Sequence, residues 1–187
     1  MPARSARRKL RNDPRARQRV LAQIRLFATD VDGVLTDGGM YYGESGDEWK
    51  KFNTRDGMGI KLLQRAGLLT AFVTQERTKL VARRGEKLII PEVHQGVMDK
   101  LTVVREMVMR HGMTLEQVAY IGDDVNDLEL LKAAGFSAAP ADGMPQVVAA
   151  VDYVCRKRGG EGAVREVIEL ILAAQQGSVR STRGARS

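Results

Sequence analysis

Ile24-Arg25-Leu26-Phe27-Ala28-Thr29-Asp30-Val31-Asp32-Gly33 runs from a short apolar stretch straight into two carboxylates and a glycine. The apolar part has the length of one buried strand. After it, short apolar runs alternate with helical patterns, the habit of a parallel sheet wrapped by helices, so the fold class is α/β, Rossmann-like, with helices on both faces. Strands are predicted near Ile24–Thr29, Leu69–Thr74, Val118–Gly122, Phe136–Ala138 and Tyr153–Cys155, with a weaker one near Val93. Helices are predicted over Gly59–Ala66, Thr78–Leu88, Lys100–His111, Leu128–Ala134, Pro145–Ala150 and Gly162–Ala174. The last carries Val164, Val167, Ile168, Ile171 and Leu172 on one face.

In an open parallel sheet ligands bind outside the carboxyl ends of the strands, and Asp30 stands where the first strand runs out. A loop there can aim Asp30 at an electrophilic phosphorus, with Asp32 standing beside the leaving oxygen as proton shuttle. A second acidic group, Gly122-Asp123-Asp124-Val125-Asn126-Asp127, follows another apolar strand and belongs at the same sheet edge. Clustered carboxylates repel one another unless a cation neutralises them, and hard oxygen ligands beside a phosphate point to magnesium. Between the two groups, Thr74 ends a strand and Lys100 begins a helix; a hydroxyl and an ammonium there suit phosphoryl oxygens. Each residue also has an ordinary reading. Thr74 is equally a structural threonine and Lys100 a solvated surface lysine. Asp30 and Asp32 serve as turn and cap residues, and Asp123 to Asp127 as the acidic start of a helix.

One segment breaks the alternation. Residues 38–52 hold Met40, Tyr41 and Tyr42, then the turn-rich Gly43-Glu44-Ser45-Gly46-Asp47, then Trp49 and Phe52, which reads as a hairpin. Exposed aromatics on it would make an association surface, with packing on its own domain as the alternative.

The chain of 187 residues, 43% of them apolar, is long enough for one domain with its own core, and no apolar run reaches the length of a membrane span. The single cysteine, Cys155, excludes an intrachain disulfide and fits a reducing cytoplasm. The net charge of +7 is uneven. Residues 1–20 set eight cations against Asp13, and the stretch from Gly177 adds Arg180, Arg183 and Arg186, so residues 21–176 carry a net −3. Both ends lack aromatics for base stacking, so residues 1–20 and 177–187 are expected to be basic disordered tails rather than nucleic-acid readers, flanking one domain over 21–176.

The ordered set of strand then DxDG, strand then Thr, a later Lys, and strand then GDDxxD resembles the haloacid dehalogenase superfamily of phosphohydrolases. Within it the chain is similar to the small sugar-acid phosphatases, a similarity extended by Phe52-Asn53-Thr54-Arg55-Asp56-Gly57-Met58-Gly59-Ile60, Gln95-Gly96 with Asp99-Lys100-Leu101, and Arg158-Gly159-Gly160-Glu161-Gly162-Ala163-Val164-Arg165-Glu166. The resemblance implies Asp30 as nucleophile and metal ligand and Asp32 as general acid/base that binds the metal through its carbonyl. It implies Asp123 as metal ligand, Thr74 and Lys100 on the phosphate, and Asp124 and Asp127 as supporting acids. It further implies substrate contacts from Asn53, Thr54, Arg55, Asp56, Gly57, Lys61, Glu76, Arg84 and Lys87. The intervals after Asp32 and between Thr74 and Lys100 are too short for a cap domain, and the resembled family closes its site by tetramerising through the hairpin.

Where the enzymes of that group acting on eight-carbon octulosonate phosphates read Thr-Gly-Arg, this chain reads Thr74-Gln75-Glu76. With Lys87, Glu76 resembles the branch acting on nine-carbon acids, 2-keto-3-deoxynononate 9-phosphate or N-acetylneuraminate 9-phosphate, which sets the substrate expectation. Gln75 in place of glycine fits neither branch and would hinder a loop that needs positive φ. Other classes remain open alternatives: a receiver domain, which the second acidic cluster argues against, a non-catalytic tetramerisation module, and a nucleic-acid end phosphatase.

Overall fold

The computed structural model describes Leu10 and residues 12–184, the last seven of these as backbone alone. Six parallel strands form the main sheet: β1 (Leu26–Thr29), β4 (Leu69–Val73), β5 (Glu92–His94), β6 (Val118–Ile121), β7 (Phe136–Ala139) and β8 (Tyr153–Val154). Their order is β5-β4-β1-β6-β7-β8. β1 is central, with Leu26 in register with both Leu69 and Val118 and Thr29 with both Phe72 and Ile121. The chain first extends the sheet from β1 through β4 to β5, then crosses back to β6 and extends it the other way. The crevice outside β1 and β6 is therefore the switch point at which such sheets bind ligands.

Alternation along β1 feeds two cores. Phe27 joins Phe72, Ile121, Ile60, Leu63, Val164, Ile168 and Ile171 on one face. That face is covered by α1 (Pro14–Leu21), α2 (Thr54–Arg65), α3 (Lys79–Leu88) and α7 (Ala163–Gly184). Leu26 and Ala28 join Val73, Tyr120, Val104, Met107, Leu130 and Val147 on the other face, beneath α4 (Lys100–Arg110), α5 (Leu128–Ala133) and α6 (Pro145–Ala150). Each fully buried aliphatic or aromatic side chain removes apolar surface worth roughly 1.5–3 kcal/mol from water. The central strands are fixed by both layers at once.

The segment after Asp32 contributes only the predicted hairpin. β2 (Tyr41–Tyr42) pairs antiparallel with β3 (Glu48–Trp49), and a bridge from Thr36 to Phe52 closes its base. Among the described residues no second domain covers the sheet edge. Among the described residues no helix is long and apolar enough to cross a membrane.

Three expectations change. Residues 14–20, expected within a disordered tail, belong to a helix that runs to Leu21: the Asp13 carboxylate accepts from the amides of Arg15 and Ala16, both at 3.0 Å, Pro14 opens the first turn, and Leu21 and Ala16 are buried. α2 begins at Thr54 rather than Gly59, because Asn53 caps it through the Arg55 amide at 2.8 Å. The last helix continues to Gly184 instead of ending near Ala174, so the backbone from 177 to 184 is helical. The rest of the expected tails, residues 1–9, 11 and 185–187, lies outside the described residues.

Candidate active site

Strand ends place the predicted residues. Asp30 follows β1, Thr74 follows β4 and Asp123 lies two residues beyond β6, and all three line one open cleft of about 640 Å³. The Asp30 amide donates to the Ile121 carbonyl at 3.0 Å, which fixes the β1 loop against β6. Gly33 takes φ +73°, and a Cβ on it would fall 2.0 Å from Asp123 Oδ2. The glycine after the two aspartates is thus what lets the second acidic loop close on the first.

Lys100 is the first residue of α4, which Asp99 caps through the Thr102 amide at 3.0 Å. Far from solvated, its side chain is 1% exposed, with Nζ 2.8 Å from Asp30 Oδ2 and 2.6 Å from Asp127 Oδ1. Asp127 is wholly buried. It accepts from Lys100, from the Tyr120 hydroxyl at 2.5 Å, and from the amides of Asp123 and Asp124 at 3.0 and 3.3 Å. Asp124 is exposed and caps the turn Val125–Asp127 through the Val125 amide at 2.6 Å.

Carboxylate oxygens of Asp30, Asp123 and Asp127 lie within 4.8 Å of one another. Burial, reinforced by Asp127, pushes the Asp30 carboxyl up to about 7 despite the pull of Lys100. Burial, then Asp30, Asp127 and Asp124, push Asp123 up to about 8. Burial opposes the charge on Lys100, but Asp30 and Asp127 outweigh it and hold its pKa above the usual value. Three carboxylates thus crowd together with a single buried ammonium, which bonds two of them, Asp30 and Asp127. A small divalent cation with oxygen preference fits this donor set in charge and in ligand type.

Asp32 is held differently. Its Oδ1 accepts from Lys50 Nζ at 2.5 Å, while its Oδ2 is buried without a hydrogen-bond partner. Lys50 also lies 3.3 Å from Glu76 Oε2, and its side chain is 1% exposed. The sequence reading passed over Lys50 altogether; the available signal was its period-two relation to Glu48, which in extended chain puts both on the side opposite Trp49. Asn126 was also missed. Its amide donates to Gln75 Oε1 at 3.0 Å across the cleft. Gln75 carries no left-handed backbone, since Ile89 is the one non-glycine residue with positive φ among those described, so the loop accepts a side chain there without strain.

Of the residues expected on the substrate, only Glu76 lines the cleft. Asn53 caps α2 and donates to the Gly160 carbonyl at 3.1 Å. Asp56 is fully buried and accepts from the Arg165 amide at 2.7 Å, so it anchors α2 to α7. Gly57 is buried under Arg84, whose guanidinium a Cβ at Gly57 would meet at 2.6 Å. Arg84 donates to the Asn53 carbonyl at 3.1 Å and stacks 5.3 Å from the Phe52 ring centre. Thr54, Arg55 and Lys87 are exposed and Lys61 is partly so.

Residues 64–168 match the haloacid dehalogenase-like hydrolase family. The 3-deoxy-D-manno-octulosonate 8-phosphate phosphatase of Yersinia pestis is 46% identical over 154 residues, covering 82% of each chain. The enzyme of that name from Escherichia coli K12 is 43% identical over 152 residues, 81% of each. Among solved structures, the Moraxella catarrhalis phosphatase of the same name, in complex with magnesium, phosphate and the octulosonate sugar, superposes with a TM-score of 0.83 at 41% identity. That match covers 88% of this chain and 96% of the relative.

Proposed function

The chain belongs to the haloacid dehalogenase-like hydrolases, and from that premise we propose that it is a magnesium-dependent phosphatase of a phosphorylated 2-keto-3-deoxy sugar acid, reacting through Asp30. The observation that carries this is the convergence of Asp30, Thr74 and Asp123 on one open cleft at the switch point of the sheet, with buried Lys100 bonded to Asp30. Asp30, Asp123 and the backbone carbonyl of Asp32 would hold magnesium, with Asp127 fixing the loop around them. Bound there, the cation would neutralise the carboxylates and offset charge on the phosphoryl oxygens.

In the proposed reaction an Asp30 oxygen forms a bond to phosphorus as the bond to the sugar oxygen breaks. Asp32 gives that leaving oxygen a proton. Water then attacks the phosphorus, yields its proton to Asp32, and returns the electron pair of the Asp30–phosphorus link to the carboxylate. Lys100 holds the Asp30 carboxylate oriented, and the Thr74 hydroxyl would donate to a phosphoryl oxygen.

The named relatives favour the eight-carbon octulosonate 8-phosphate as substrate. Glu76 favours the second, nine-carbon reading, because it presents an anion in the cleft where the resembled eight-carbon enzymes carry arginine. Closure of the open cleft by a neighbouring copy, in a tetramer built through the hairpin, is part of the same proposal. Arg55, Lys61 and Lys87, away from the cleft of their own chain, would act in that assembly.

The test is phosphate release from octulosonate 8-phosphate, 2-keto-3-deoxynononate 9-phosphate, N-acetylneuraminate 9-phosphate and a 5′-phosphorylated oligonucleotide, with magnesium. Turnover of a sugar acid that vanishes in Asp30→Asn is expected. Folded protein that releases phosphate from none, or only from the oligonucleotide, sinks the reading.

A further inference from the structure

We propose that Lys50 is a positioning residue of the reaction: from the base of the hairpin, its ammonium holds one oxygen of Asp32 and so fixes the orientation in which that carboxylate exchanges the proton. The inference rests on the phosphatase reading above and adds to it a residue on a different element.

Lys50 follows β3, outside the sheet that carries Asp30, Thr74 and Asp123. Its Nζ has Asp32 Oδ1 at 2.5 Å, Glu76 Oε2 at 3.3 Å and Glu48 Oε1 at 3.9 Å. Three carboxylates around one buried ammonium exceed what is needed to pin a hairpin. An apolar side chain of similar volume would do that at less desolvation cost. What the ammonium supplies, and an apolar side chain does not, is orientation. Asp32 has two chemically equivalent oxygens, and with Oδ1 engaged, Oδ2 is the one without a partner. The contact to Glu76 ties the same ammonium to the loop after β4, so the shuttle, the hairpin and the cleft wall share one node.

Positioning and mere anchoring separate by leaving group. A sugar hydroxyl must be protonated as it departs, whereas p-nitrophenolate departs without a proton. Lys50→Met is expected to lower sugar-phosphate turnover about 100-fold, the lower end of a lost proton transfer, with KM within about threefold of wild type. The first-turnover release of p-nitrophenolate from p-nitrophenyl phosphate is expected to stay near the wild-type rate, followed by a slowed steady state as water attack on the phospho-enzyme loses its base. Lys50→Arg should recover most of the sugar-phosphate loss. Equal loss on both substrates in the first turnover, or no loss on either, would overturn the proposal. Should Lys50→Met not fold, as judged by its thermal transition, Lys50→Gln carries the same comparison.

The two readings fail differently. If the wild type hydrolyses glycerol phosphate but no sugar acid, the substrate assignment falls, and the Lys50 comparison is read on glycerol phosphate against p-nitrophenyl phosphate. A wild type inert toward all these esters removes both.

Discussion

Asp56 shows what a single buried carboxylate does to stability. Its Oδ1 takes the Arg165 amide while Oδ2, equally buried, has no partner. Burial pushes its pKa from 3.8 up to about 6, with the amides of Arg165 and Gly162 pulling the other way. The folded chain therefore keeps this proton after the unfolded chain has released it. The associated stability is complete below about pH 4 and is lost as the pH rises through 6, a change on the order of 3 kcal/mol. Asp56→Asn removes the titration. Its unfolding free energy relative to wild type should shift by about 2–3 kcal/mol in the variant's favour between pH 4 and pH 7. Urea denaturation at both values measures this, and a constant difference would refute it. At this scale the sequence was legible where a polar residue follows a strand end, as in the cleft positions of Asp30, Thr74 and Asp123, because an apolar run announces where it stops. It was illegible where a partner comes from far along the chain: Asp56 meets Arg165, and Lys50 meets Asp32 and Glu76, through packing that no local pattern encodes.

The hairpin is the element whose surface asks for a partner. Tyr42 is 70% exposed and Trp49 55%, on two-residue strands that an isolated ribbon would barely hold. Trp49 lies across Gly43, where a Cβ would stand 2.8 Å from the indole, so it supports the turn as well as facing outward. Tyr42 has no such internal duty and is the cleaner probe. If copies of the chain associate through the hairpin, Tyr42→Glu should turn a multiple of the 20.6 kDa chain mass into a single chain on light scattering, with an unchanged thermal transition of the isolated fold. Turnover per chain should fall with it. A wild type that is already monomeric at assay concentration would defeat the idea. The hairpin could be read from its turn residues and paired aromatics. α1 could have been read too, since Asp13-Pro14 is a cap followed by a first-turn proline, but its arginine-rich face masked Ala16 and Leu21. α2 was expected only from Gly59 and in fact starts at Thr54, so it runs through both Gly57 and Gly59. They are tolerated because side chains pass over them: Arg84 at Gly57, Arg165 and Ile168 at Gly59.

Over the whole molecule, the fold concentrates negative charge at one place in a chain whose net charge is positive. Asp30, Asp123 and Asp127 converge although 97 residues of sequence separate the first from the last, because β1 and β6 are neighbours in the sheet. This convergence was inferable from two strand-terminal acidic motifs, whereas the distances, and the burial that makes them costly, required the packed structure. Lys100 is the one cation bonded within this trio among the described residues. The free fold should consequently carry an electrostatic cost that a divalent cation relieves, and binding to the native state alone raises stability by mass action. Magnesium at about one hundred times its dissociation constant should add about 2.7 kcal/mol. For a chain of this length that corresponds to a rise of roughly 5–10 °C in the thermal midpoint. Asp123→Asn removes one of the repelling carboxylates, so its magnesium-free midpoint should match or exceed that of the wild type, while its magnesium-dependent rise should largely disappear. Calorimetry on both proteins, with chelator and with magnesium, separates these effects. An equal magnesium-dependent rise in the two would place the ion elsewhere, and no rise in the wild type would mean that Lys100 alone balances the cluster.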